Sequence, residues 1–220
     1  MSFIPLTPVD RDQVLRYMGN PPDRADEALR DLVARADVAV REAAQPRWHS
    51  CVFPLPPAQD GLSLPGRDLA AHLSGCDRAV VLCATLGAQV DTLIRAAQCT
   101  DLLYALALDC CASALIEQLC DRAEEEVQRT FPGCYFPYRY SPGYGDLPME
   151  VNATLLQLVD APIRLGLCAT PSMLLTPRKS VTAILGVSPH PIDKSKRSCL
   201  GCSAHESCQF RKTGGHCGIL

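Results

Sequence analysis

Arg139-Tyr140-Ser141-Pro142-Gly143-Tyr144-Gly145-Asp146-Leu147-Pro148 is the most informative string in the 220-residue chain. Pro142-Gly143 sets a tight turn, because proline fixes φ and glycine supplies positive φ with an uncrowded backbone N–H. Gly145 permits a second close approach of main chain to another group. Around this turn stand a guanidinium able to grip a carboxylate in two places, two aromatic rings, a hydroxyl and an acid. A zwitterionic amino acid carrying a cation and an aromatic base would use all of these. Arg139 would take its carboxylate, Ser141 and backbone amides its polar edges, and Tyr144 or Asp146 its positive centre. Composition alone is also met by a rigid surface turn with a packed tyrosine.

Outward from the loop, apolar periodicity divides the chain into helices and separated strands. Upstream, residues 102–130 and 89–98 read as helices, 79–84 as a buried strand and 69–74 as a helical turn. Residues 50–55 read as a strand limited by Pro54, Pro56 and Pro57. Residues 23–44 carry Ala28, Leu29, Leu32, Val33, Ala36 and Val40 at helical spacing before Pro46, and 10–18 form a short helix closed by Gly19. Downstream, 138–148 is a loop, 155–160 a short helix or turn and 180–187 a strand. Such a mixture predicts an α+β or loosely wound α/β domain. On the helix before the loop, Asp109, Ser113, Glu117 and Asp121 recur at i, i+4 as one polar stripe. A stripe of this kind is ordinarily the wet face of a helix. Alternatively it lines a ligand groove or faces a partner, and Glu117 is the candidate it offers.

Hydrophobic residues make up 47% of the chain and charged residues 20%, with net charge −3, which excludes a disordered, collagenous or generic nucleic-acid-binding chain. The opening MSFIPLTPVDRDQ lacks a basic start followed by an apolar stretch. The longest apolar run, 79–88, is far short of the roughly 18–20 residues that cross a membrane. A cytoplasmic protein with reduced thiols is therefore expected, with no membrane and no nucleic acid among its partners. Charge and cysteine are both uneven. From residue 177 onward seven bases face two acids, net +5, whereas the preceding residues carry 14 bases and 22 acids, net −8.

Of thirteen cysteines, nine have no metal-ligand spacing, and Cys83, Cys110, Cys111, Cys120 and Cys168 sit among apolar neighbours as small core residues. The other four read Cys199-x2-Cys202-x5-Cys208-x8-Cys217. A CxxC pair places two thiolates on one tight turn, and two more within fifteen residues complete four ligands in a segment almost without hydrophobic residues. Lys196, Arg197, Arg211 and Lys212 would offset the negative charge of a tetrathiolate site and lower the thiol pKa. The spacing matches neither the paired knuckles of structural zinc nor the common ferredoxin runs, and His205 or His216 could replace a cysteine at zinc. Free or regulatory thiols are the alternative to an inorganic centre.

RYSPGYGDLP resembles the Arg-x-x-Pro-Gly-Tyr signature of the activation (reactivation) domain of cobalamin-dependent methionine synthase, in the short free-standing form of that domain. Supporting segments stand in the family's order: Val9-Asp10 and Val14-Leu15-Arg16-Tyr17-Met18-Gly19 near the start, Ala84-Thr85-Leu86-Gly87 after a strand, and the helix through 112–121. After the signature come 169–177 and Ser180-Val181. The resemblance covers most of 1–187. It implies mixed helices around a small twisted antiparallel sheet, an S-adenosylmethionine-binding domain over 1–187, and a basic linker with a four-Cys tail over 188–220. Arg139, Ser141, Gly143 and Tyr144 fall on signature positions that bind adenosylmethionine. Asp10 matches an N-terminal aspartate that meets the ligand, and a solvated helix cap explains it about as well. Two positions depart from the family: its helix acid is replaced by Ser113, with Glu117 one turn on, and the tyrosine pair of larger members has no counterpart in 189–198.

The function implied by the resemblance is that of a detached reactivation subunit. It would bind S-adenosylmethionine and hold the sulfonium methyl in line with the cobalt of an oxidised cobalamin, so that its contribution is mainly positioning. The cobalamin would sit on a partner, a methionine synthase or another corrinoid protein, and the electron would come through the tail or an external donor. An electron carrier suits that chemistry, which favours a 4Fe–4S cluster on Cys199, Cys202, Cys208 and Cys217 over zinc. Two other readings stand beside it: a non-catalytic zinc-binding adaptor docking through the basic tail, and a thiol redox sensor.

Overall fold

The strand at the centre of the molecule is apolar on both faces. β2 (Arg78–Thr85, RAVVLCAT) is buried along all but its first residue, so it requires cover on each side. In the computed structural model, which describes residues 5–55 and 64–192 together with 206, both covers are helical. β2 pairs antiparallel with β1 (Arg47–Pro54) on one edge and β5 (Ser180–Val187) on the other, in the order β1-β2-β5. Alternation along β2 sends Val80, Leu82 and Ala84 to one core and Ala79, Val81 and Cys83 to the other.

The first core lies under α1 (Arg11–Tyr17), α2 (Glu27–Ala43), α4 (Ala88–Gln98) and α5 (Leu102–Arg129). The second lies under α3 (Arg67–His72), α6 (Val151–Leu158) and α7 (Ala161–Leu165). A two-stranded ladder of β3 (Cys168–Ala169) and β4 (Leu175–Thr176) flanks α6. The described residues thus form an α+β domain of seven α-helices around a small antiparallel sheet. α5 is the one described helix long and apolar enough to cross a membrane, and 56% of its most apolar stretch is buried inside the protein, as befits a core helix.

Local chemistry explains where the elements start. Asp10 caps α1, accepting from the backbone N–H groups of Asp12 at 2.9 Å and Gln13 at 3.4 Å. The single helix expected over 23–44 is divided. Pro22–Arg24 forms a 3-10 turn, and Asp26 caps α2 by accepting from Leu29 N at 2.8 Å. α6 begins four residues before the expected position, and α7, β3 and β4 were not anticipated. Cys83, Cys110, Cys111 and Cys120 are buried as expected, but Cys168 is exposed because β3 lies at the surface of a two-residue ladder. All nine described cysteines are free thiols.

Candidate ligand-binding site

The signature loop is pinned at both ends of its turn. Tyr140 exchanges backbone hydrogen bonds with Ile184 of β5 at 2.9 and 2.8 Å, fixing the loop to the sheet edge. The turn closes on itself, with Gly143 N donating to Leu147 O (2.8 Å), Tyr144 N to Ser141 O (3.1 Å) and Leu147 N to Tyr144 O (3.0 Å). Gly143 has φ +94°, a backbone conformation that calls for glycine, and a Cβ there would also displace the Met149 sulfur, 2.9 Å away. Its amide serves the turn itself.

Asp146 also works within the fold. Its carboxylate accepts from Arg67 N at 2.7 Å and Asp68 N at 3.1 Å, capping α3 from nearly eighty residues away. The ordinary N-cap position is Gly66, at φ +106°, where a Cβ would lie 2.6 Å from Asp146 Oδ1. Glycine there admits the distant carboxylate.

The polar stripe of α5 collects cations from two separate loops. Lys179 Nζ reaches Asp109 Oδ1 at 2.9 Å, Asp109 O at 3.0 Å and Ser113 Oγ at 2.9 Å. Arg139 reaches Asp121 at 2.7 Å and Glu124 at 2.8 Å through Nη1, and Glu117 at 3.0 Å through Nη2. Arg139 and Glu124 are each 18% exposed, whereas Glu117 and Asp121 are open to solvent. Burial alone would lower the Arg139 pKa, but the opposing influence of Cys120, Asp121 and Glu124 is larger and the net shift is upward. The guanidinium expected to grip a ligand carboxylate is therefore held by three carboxylates of the protein. Glu124 extends the stripe by one more turn, beyond the i, i+4 positions 109, 113, 117 and 121.

Between α5, the loop and the start of β5 lies a cavity of about 200 Å3. Glu117, Ser141 and Tyr144 line it, with Met149, Asn152 and Thr182. Its polar floor is ordered: Thr182 Oγ1 donates to Asn152 Oδ1 at 2.5 Å, and Asn152 Nδ2 donates to Met173 O at 3.2 Å. Tyr144 is half exposed and meets the Tyr140 ring edge-on at 6.2 Å. Of the sequence-derived site residues, the structure brings Glu117, Ser141 and Tyr144 to one cavity, with Arg139 paired to Glu117. Asp10 caps α1 and does not line this cavity. Asn152 and Thr182 carried no signal in the sequence, where they read as ordinary polar residues beside apolar runs. Cys199, Cys202, Cys208 and Cys217 lie outside the described residues, as does most of the 188–220 tail. Among the described residues no group of three or more His, Cys, Asp or Glu side chains could hold a metal ion.

No family model matches the chain, and no curated protein matches it. Among solved structures it is similar to the MetH reactivation domain bound to AdoHcy, at 14% sequence identity. The alignment covers 94% of this chain and 82% of that one, with a TM-score of 0.57. At this identity the likeness is one of fold: the chain is built like the reactivation domain of methionine synthase.

Proposed function

We propose that this chain binds S-adenosylmethionine in the cavity beside the signature loop and serves as the reactivation unit of a cobalamin-dependent methionine synthase or another corrinoid protein. The observation that carries the reading is the convergence of Glu117, Ser141 and Tyr144 on one cavity, within the fold of a domain described with bound AdoHcy. The ligand is both a cation and a carboxylate, and the Arg139–Glu117 pair at 3.0 Å offers a counterpart for each. The ligand exchanges with that pair, its positive groups going to Glu117 and its carboxylate to Arg139. Tyr144 supplies a ring for the sulfonium or the adenine. Gly143 keeps the turn tight enough for Ser141 and Tyr144 to face the same space.

The unit would supply position: once an external donor or the tail has passed one electron to the cobalamin held by the partner, the sulfonium methyl would move to the reduced cobalt and S-adenosylhomocysteine would leave. Cys199, Cys202, Cys208 and Cys217 would hold a 4Fe–4S cluster, with zinc as the other occupant, and the whole would act in the cytoplasm without membrane or nucleic acid. Calorimetric titration with S-adenosylmethionine tests the ligand. Saturable binding is expected, weakened about tenfold or more by Tyr144→Ala and by Glu117→Gln, each of which removes a contact to a charged group. Absence of binding, or binding indifferent to both substitutions, would overturn the reading. Iron and zinc analysis of anaerobically purified protein separates the two occupants of the tail.

A further inference from the structure

The two long edges of the sheet are finished differently. The outer edge of β5 is closed by backbone bridges from Tyr135 to Ser188 and from Tyr140 to Ile184. The outer edge of β1 has no backbone partner among the described residues. Leu55 N donates to Asp77 O at 2.8 Å, which fixes the phase of the antiparallel ladder. In that register the odd residues of β1 bond to β2, and the even ones point their N–H and C=O groups outward. Trp48, Ser50 and Val52 therefore form an outward row of donors and acceptors. Pro46 and Pro54, the outward positions on either side of the row, carry no N–H. None of the three residues between them is charged and no bulge interrupts the register, so the usual protection of an edge strand is missing there.

The row of outward groups is symmetric about Ser50. A second β1, laid antiparallel about a two-fold axis at Ser50, sets Trp48 against Val52 of the other copy and Ser50 against its equivalent. Each such pair exchanges two hydrogen bonds. Pro46 and Pro54 then face each other at both ends, so no donor is left over. The side chains agree with the backbone. Trp48 and Val52, both on the face of the first core, make an aromatic–β-branched pair that covers Val52, half exposed in one copy alone. On the other face Arg47 stands opposite Phe53 and His49 opposite Cys51, so no like charges meet. We propose that β1 is an interface with a second copy of this chain, joining two three-stranded sheets into one continuous sheet. Such a contact uses the same patch on both copies and closes on itself, which makes a dimer and not a fibre. The signature loop is attached at β5, on the opposite edge, so the dimer leaves the adenosylmethionine cavity open and does not rest on that reading.

Sedimentation velocity of the full chain between about 1 µM and 1 mM is the first measurement, since a contact of backbone bonds with a small apolar area falls in that affinity range. A monomer–dimer equilibrium is expected. Ser50→Lys sets two ammonium groups against each other on the axis, and Ser50→Glu two carboxylates. Each variant alone is expected to dimerise about fivefold more weakly or worse. Mixed in equal amounts, the two are expected to recover a dimer containing one copy of each, tighter than either variant forms alone. Recovery on mixing also shows that both variants are folded. A monomer at every concentration would leave the edge to an extended segment of another protein and overturn the proposal. A dimer that survives both substitutions unweakened would place the contact on a different surface and overturn it equally, as would a mixture that dimerises no better than its components.

Discussion

Arg139→Met removes one charge from the carboxylate cage of α5 and keeps an aliphatic stem of similar reach. The pair that matters most is Arg139–Glu124 at 2.8 Å, because both side chains are only 18% exposed. Stripping one partner from a buried pair costs about 3–5 kcal/mol, and the low end applies here because Glu124 keeps some solvent. It also keeps a second donor, Gln128 Nε2 at 3.0 Å. Glu117 and Asp121 are about half exposed or more, so their pairs add about 0.5 kcal/mol each at most. The expected loss is therefore about 3 kcal/mol, which for a chain of this size lowers the melting temperature by about 6–12 °C. Urea unfolding followed by circular dichroism measures the loss directly. Glu124→Gln should recover part of it in the Arg139→Met background, with a coupling of about 2 kcal/mol in the double-mutant cycle. A loss below about 1 kcal/mol with no coupling would refute the reasoning, since it would place the cage among exposed ion pairs of little consequence.

Two other outcomes follow from the same structure. Asp146→Ala removes the long-range cap of α3 and should cost about 1 kcal/mol in urea unfolding, with Asp146→Asn costing less. An equal cost for both would assign the effect to charge instead of capping. Burial pushes the Cys83 and Cys111 thiols from 9.0 up to about 12. The fold thus keeps the neutral thiol while the unfolded chain ionises it, so their contribution is intact below pH 9 and is lost as pH rises toward 12. The urea midpoint should fall over that range, and less steeply in Cys83→Ala/Cys111→Ala.

The helices and the two buried strands were legible because their apolar spacing is regular: α4, α5, β2 and β5 lie within one or two residues of their expected limits. β1 starts three residues earlier than expected because Arg47, Trp48 and His49 carry no alternating apolar signal, yet pair across to Thr85, Ala84 and Cys83. α6 was placed late because Asn152 looks like a surface residue, and its burial depends on Thr182, thirty positions away. The stripe on α5 was visible by spacing. Its partners were not, because Lys179 and Arg139 reach it from separate loops distant in sequence. Asp146 shows the same limit: a carboxylate in a turn says nothing of a glycine-capped helix eighty residues upstream.

The twelve helical steps from Asp109 to Asp121 make α5 a measuring rod. At the helical rise they separate the Lys179 anchor from the Arg139 anchor by about 18 Å. The spacing of the two loops along α5 is thus set by a rigid length within one element and not by the reach of the loops themselves. Changes of length in either loop therefore leave the separation of the two points of attachment unchanged, because it is written into α5.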